Sequence, residues 1–145
     1  MRNYRFTRLR GQAMLETALV MTLLLGTLMG VCDFGQALFL HQGLVNQARY
    51  GARYAAVNYT NLDVIKNRVV YNSNEAPPVP YGGPVPPGYL GLLPSMVTVT
   101  RTGVNTNDDR ITITISNYPY NFYSPWLANA FRMAPITVSA PVEVP

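Results

Sequence analysis

The chain has 145 residues, enough for one modest domain or for one domain plus an anchor. Hydrophobic residues reach 48% and charged residues only 12%, against about a quarter charged in ordinary soluble domains. The net charge of +4 does not mark a nucleic-acid binder, whose positive charge is spread over its folded surface. Four of the eleven basic residues are Arg2, Arg5, Arg8 and Arg10, and from Gln12 onward seven basic residues balance seven acidic ones.

The first element is a basic leader, Met1 to Gly11, with no acidic residue before Glu16. A run without any charge follows, from Thr17 to Cys32. As a helix, residues 12–32 measure about 31 Å at 1.5 Å per residue, which matches the roughly 30 Å hydrocarbon layer of a bilayer. Arginines before the span and none just after it place the N-terminus in the cytoplasm and the remainder outside. A membrane is therefore the first expected partner.

Three kinds of N-terminal processing compete. An ordinary signal peptide would use Gly30-Val31-Cys32, a poor small-residue pattern. A lipoprotein would carry its lipid on Cys32, but Met29 and Val31 suit that badly. The third reading takes Gly11-Gln12-Ala13-Met14-Leu15-Glu16, where a glycine closes the basic leader and an acid follows five residues later. This resembles the processing site of class III signal peptides in type IV pilins. The resemblance implies that a prepilin peptidase cuts between Gly11 and Gln12, and that Glu16 pairs with the new N-terminal amine of a neighbouring subunit. Glu16 also stands out physically, because a carboxylate within a span costs about 2.5–3.5 kcal/mol on insertion scales and usually has a partner. The alternative is a carboxylate that snorkels to the membrane edge. Gly26 and Gly30 form a G-x-x-x-G pair that permits close helix packing; flexible filler is the plainer reading.

The helical pattern does not stop at the membrane. Phe34, Ala37, Leu38, Val45, Ala48, Ala52, Ala55 and Ala56 keep helical spacing, and no proline occurs before Pro77. One helix is predicted from about Gln12 to Val57, apolar over 12–32 and amphipathic over 33–57. Gly35, Gly43 and Gly51 interrupt it, marking either close packing or local melting. Arg49 and Arg53 lie four apart on one face, where like charges repel modestly. They are candidates for ion pairing with acids in the chain or on a neighbour, or they belong to a solvated face.

These residues carry a more specific resemblance. Glu16-Thr17-Ala18-Leu19-Val20, then Asp33-Phe34-Gly35, then Ala48 to Ala56 with its Gly51-Ala52-Arg53 core, resemble the TadE-like family. Its members are minor pilins or pseudopilins of the tight-adherence (Flp) pilus machinery. Thr17 departs from the family, many of whose members have an aromatic residue there. The resemblance implies a pilin-like fold and a role in assembling a tight-adherence type IV pilus that supports adhesion or surface colonisation. It also implies other pilin or pseudopilin subunits and the pilus assembly platform as partners, and the bacterial cytoplasmic membrane as location, with the C-terminal domain periplasmic or extracellular. The competing reading is an uncleaved or lipid-modified single-pass membrane protein with a periplasmic interaction domain.

Residues 58–145 form the expected outer domain. Leu62, Ile65 and Val69 predict a short helix over Leu62–Tyr71. A Pro/Gly-rich loop occupies 76–94. Met96–Thr100 and Ile111–Ile115 alternate with period two around turn residues 103–109, predicting a β-hairpin with Val99 and Ile113 facing inward. Tyr118, Tyr120, Phe122, Tyr123 and Trp126 make an aromatic stretch, expected either as packing or as a contact surface. Ile136–Ala140 reads as a last strand. This C-terminal order, with a short helix before the last strand, also resembles the TadE-like family, more loosely.

The expected fold class is therefore α+β: a long N-terminal helix packed on a small antiparallel sheet. Asn105, Asn107, Asp108 and Asp109 suggest turn chemistry rather than a calcium loop, whose spacing and closing glutamate they lack. With His41 the only histidine and Cys32 the only cysteine, no zinc site and no nucleophile–base–orienter set is visible. No enzymatic activity, no catalytic residue, no metal and no cofactor is expected.

Overall fold

A single uninterrupted helix sets the architecture. The computed structural model describes residues 5–79, 83–104, 106, 108–124 and 134–142, with backbone alone over 5–10. Helix α1 runs Arg5–Val57, 53 residues, or about 80 Å. It begins earlier than the expected start at Gln12. Residues 5–10 contain neither proline nor glycine, and Gly11 costs only about 1 kcal/mol, so nothing at that junction stops the helix.

Helix α2 occupies Leu62–Tyr71, as its periodicity predicts. Both of its ends are chemically defined. The Asn61 side-chain oxygen accepts from the amides of Asp63 and Val64 at 3.0 and 3.3 Å, satisfying two of the free N–H groups of the first turn. Asn72 sits in the left-handed region at φ 58° and donates its amide to the Arg68 carbonyl, a helix stop that asparagine tolerates.

Three strands follow: β1 Val97–Thr102, β2 Arg110–Ile115 and β3 Ile136–Pro141. They form one antiparallel sheet in the order β1-β2-β3. Val99 pairs with Ile113, and Ile113 with Val138; Val97 pairs with Ile115, and Ile115 with Ile136. This register puts the aliphatic residues on one face, against the helices. The opposite face carries Thr98, Thr100, Thr112, Thr114, Thr137 and Ser139.

The core joins both helices to the inner sheet face. Leu44, Ala48, Ala52 and Ala55 from α1 meet Ile65, Val69 and Val70 from α2, Leu92 from the proline-rich connection, and Val97, Ile111, Ile113, Ile115 and Ile136 from the sheet. The α1 residues in this core recur every three or four positions, the spacing of one helix face. Alanine dominates that face because the helix axis lies close to the sheet. Two glycines mark the closest approach. A Cβ on Gly51 would stand 2.2 Å from Val69 Cγ2, and one on Gly43 would stand 2.5 Å from Leu90 Cδ1. These two are close-packing positions. Gly35 faces open space.

Polar staples hold the hairpin and the connection. Arg101 grips Asp109 with two hydrogen bonds, Nε to Oδ1 at 2.9 Å and Nη2 to Oδ2 at 2.5 Å, and its guanidinium lies 4.5 Å from the centre of the Tyr59 ring. Leu90 holds a positive φ of 55°, strained for a side chain of its size. Its carbonyl accepts the Tyr118 hydroxyl while its side chain fills the space left at Gly43.

Candidate functional site

The first half of α1 has no partner among the described residues. Every described side chain from Gln12 to Leu25 is exposed, including Leu15 at 66% and Leu23 at 74%. The helix is long and apolar enough to cross a membrane, with mean hydropathy 1.8 over its most apolar window. Its polar groups are accounted for internally. The hydroxyls of Thr17, Thr22 and Thr27 donate to the carbonyls of Ala13, Ala18 and Leu23, four residues back, at 2.8–2.9 Å. Such bonds let hydroxyls lie in hydrocarbon without an outside partner. Thr17, where the TadE-like pattern often has an aromatic residue, is thus compatible with a lipid-facing position.

Glu16 differs from these threonines. It lies in α1, five residues past Gly11 and exposed. Among the described residues it has no ion pair, since the pairs there are Arg101–Asp109 and Arg110–Asp108. Gly26 and Gly30 have open space where a Cβ would stand, so the helix surface beside them meets no other described residue. Arg49 and Arg53 are exposed and stand in neither ion pair. Between and beside them, Tyr50 and Tyr54 turn toward α2, where the Arg68 guanidinium lies 5.6 and 5.1 Å from their ring centres. His41 and Cys32 are exposed. The Asp108 and Asp109 carboxylates are engaged by Arg110 and Arg101. Asn105, Asn107, Trp126 and the short helix expected before the last strand lie outside the described residues.

The most constrained polar group is Asp33, just past the apolar run. It is 1% exposed, although it belongs to a helix whose preceding two turns are bare. Its carboxylate accepts the backbone amides of Tyr123 and Ser124, at 2.8 Å to Oδ1 and 2.9 Å to Oδ2. Ser124 Oγ is enclosed without a well-aligned partner of its own, so the latch rests on the two amides. The carboxyl is held below its ordinary pKa: the adjacent Ser124 hydroxyl, near it but off good hydrogen-bond geometry, is the leading cause, burial opposes it, and the two amides reinforce it. One side chain therefore ties the end of the aromatic stretch to α1 at the end of the apolar run.

That stretch lies outside helix and sheet, and its side chains alternate in burial. Tyr118, Tyr120 and Phe122 are half-buried, while Pro119, Asn121 and Tyr123 are exposed. The inward rings meet in sequence, edge-on for Tyr118–Tyr120 with centroids 5.5 Å apart and stacked for Tyr120–Phe122 at 5.9 Å. Burial raises the pKa of both Tyr118 and Tyr120, consistent with rings packed as core. Tyr123 points out, 77% exposed.

The latch went unmarked as a site in the sequence, where Asp33 entered only as part of Asp-Phe-Gly. A signal was present. Asp33 falls on the same stripe as Ala37, Leu44 and Ala48, so an acid was placed on the face that packs.

This geometry defines a class: α+β proteins with one long helix, apolar and bare at its start, packed at its end on a small antiparallel sheet. Within that class, residues 11–53 match the family model described as TadE-like protein. The matched stretch begins at Gly11 and contains Glu16, the Asp33-Phe34-Gly35 latch and Gly51-Ala52-Arg53, which bears out the resemblance over that part of the chain. No curated protein and no solved structure matches the chain.

Proposed function

We propose that this protein is a minor pilin or pseudopilin of a tight-adherence type IV pilus, cut after Gly11 by a prepilin peptidase. The TadE-like match points to a protein associated with that pilus, and the apolar helix to anchoring in a membrane. The observation that carries the finer reading is the division of α1. Its first half is apolar and unpartnered, while its second half is fixed on a sheet. A helix so divided presents a lipid-soluble surface that subunits share when they pack side by side. Gly26 and Gly30 would form the close contact, and Glu16 would find the amine of Gln12 on a neighbour. Before assembly the precursor sits in the cytoplasmic membrane with its leader inside and its folded part outside. Arg49 and Arg53, in no ion pair among the described residues, would meet acids on neighbouring subunits or on the assembly platform.

Mapping the N-terminus of the protein by mass spectrometry tests the processing step. The expected mature chain starts at Gln12. A chain that starts at Met1 in cells with an active prepilin peptidase overturns the proposal, and one that starts at a lipidated Cys32 replaces it with a lipoprotein. Glu16→Ala is expected to leave membrane insertion and cleavage intact while the variant disappears from sheared pilus fractions, read by immunoblot. Normal incorporation of Glu16→Ala would remove the assembly role.

A further inference from the structure

Phe34 and Tyr123 come from distant parts of the chain and emerge at one level of α1. Phe34 follows Asp33 directly and is 64% exposed; Tyr123 is 77% exposed, with its amide on Asp33 Oδ1 at 2.8 Å. Exposed apolar side chains gathered at one level can mark a protein or membrane contact.

Depth identifies one. If residues 12–32 cross the hydrocarbon layer, Phe34 stands about 3 Å beyond its outer edge, at 1.5 Å per residue. The headgroup zone extends about 5–8 Å past that edge. Both rings fall inside it. Val57 at the end of the helix, 65% exposed, lies about 38 Å beyond Cys32, far into water. Aromatic side chains, and tyrosine with its polar tip above all, favour this zone, where one end of the ring meets hydrocarbon and the other meets water.

We propose that Phe34 and Tyr123 seat the outer domain in the headgroup layer of the outer leaflet, with Asp33 holding Tyr123 at that depth. This rests on the reading of residues 12–32 as a membrane span. The latch explains how a carboxylate tolerates this boundary, where a bare charge is costly. Each of its two oxygens accepts one backbone amide. The alternation of residues 118–123 explains why, among the described aromatics there, Tyr123 is sent outward: Tyr118, Tyr120 and Phe122 hold the opposite side against the protein. The occupant is lipid, and the seat is made before any subunit is added.

The test uses the full chain in phosphatidylcholine–phosphatidylglycerol vesicles at low protein density. In a Cys32→Ser background, single cysteines at Phe34, Tyr123 or Val57 carry an environment-sensitive fluorophore. Lipids brominated near the carbonyl or near the chain end serve as depth-resolved quenchers. The expected result is blue-shifted emission at positions 34 and 123, quenched several-fold more by shallow than by deep bromines, with position 57 unaffected. A protein that resists alkaline extraction but whose position-123 label behaves like position 57 overturns the seat and leaves the span standing. Shielding of position 123 that appears only at high protein density overturns it in favour of a second copy. Extraction of the protein by alkali overturns the span and the seat together.

Discussion

Asp33→Ala is expected to release residues 118–124 from α1 and to leave the rest of the core assembled. Two amides lose their acceptor at once, and that of Ser124 is buried, so water replaces the carboxylate poorly. A buried N–H without a partner is among the costlier local defects, and here the lost bonds are of the stronger charge-assisted kind. Helix α2 and the sheet meet α1 further along, at Leu44, Ala48, Ala52 and Ala55, and those contacts remain. Hydrogen exchange on the full-length protein in detergent or nanodiscs separates the two regions. Exchange at Tyr123 and Ser124 should rise many-fold, while amides of β2 keep their protection. Asp33→Asn retains one carbonyl oxygen and should fall between wild type and alanine. Equal protection of Ser124 in wild type and Asp33→Ala would remove the latch. The carboxyl's pKa is lowered in the fold, so the unfolded chain takes up the proton first as pH drops. The stabilisation is complete above the ordinary carboxylate range and disappears as pH falls through the depressed value. The latch is therefore closed at neutral pH, and the release expected of Asp33→Ala should appear in the wild type as pH falls below the ordinary carboxylate range.

Much of this fold is written in local pattern. Helix α2 is bounded by its own asparagines, and the strands by strict alternation, so both are readable from neighbours in sequence. The long helix is readable because it contains no proline and keeps one apolar stripe after the membrane run. Its start is misplaced by that same reasoning, because a change of composition at Gly11 suggests a boundary that the backbone does not need. What stays hidden depends on partners far along the chain. Asp33 meets residues about ninety positions later, Arg101 finds Asp109 and Tyr59, and Leu90 adopts its left-handed turn to fill a gap opposite Gly43. The glycines show the limit most clearly. Gly26, Gly30, Gly35, Gly43 and Gly51 look alike as helix interruptions, yet among the described residues only the last two oppose another element. Of the candidate site, the processing residues and Glu16 are legible because they are consecutive, whereas the latch is not.

Gly88→Ala should be among the most destabilising single-methyl changes in the protein, and Gly35→Ala should have the opposite sign. An alanine Cβ at position 88 would lie 1.9 Å from the carbonyl oxygen of Val70 and 2.6 Å from its carbon. These are backbone atoms at the end of α2, beside the fully buried Val70 side chain, and no rotamer change relieves them. Either α2 or the proline-rich connection has to shift, at about 3 kcal/mol, the upper end of ordinary overpacking. For a domain of this size that lowers Tm by roughly 10–20 °C. Gly51→Ala meets a side chain instead, Val69 Cγ2 at 2.2 Å. Val69 can turn, but its branched side chain has few staggered positions in a packed core, so about 1–2 kcal/mol is expected. At Gly35 a Cβ meets nothing within 4 Å, and only helix propensity acts, favouring alanine by up to about 1 kcal/mol. Thermal denaturation of the full-length variants in one detergent gives the ranking directly. The order Gly35→Ala above wild type, then Gly51→Ala, then Gly88→Ala tests the packing of the proline-rich connection against α2. If Gly88→Ala melted with the wild type, that connection would not lie where its glycine fits, and Leu90 would lose its hold on α1 as well.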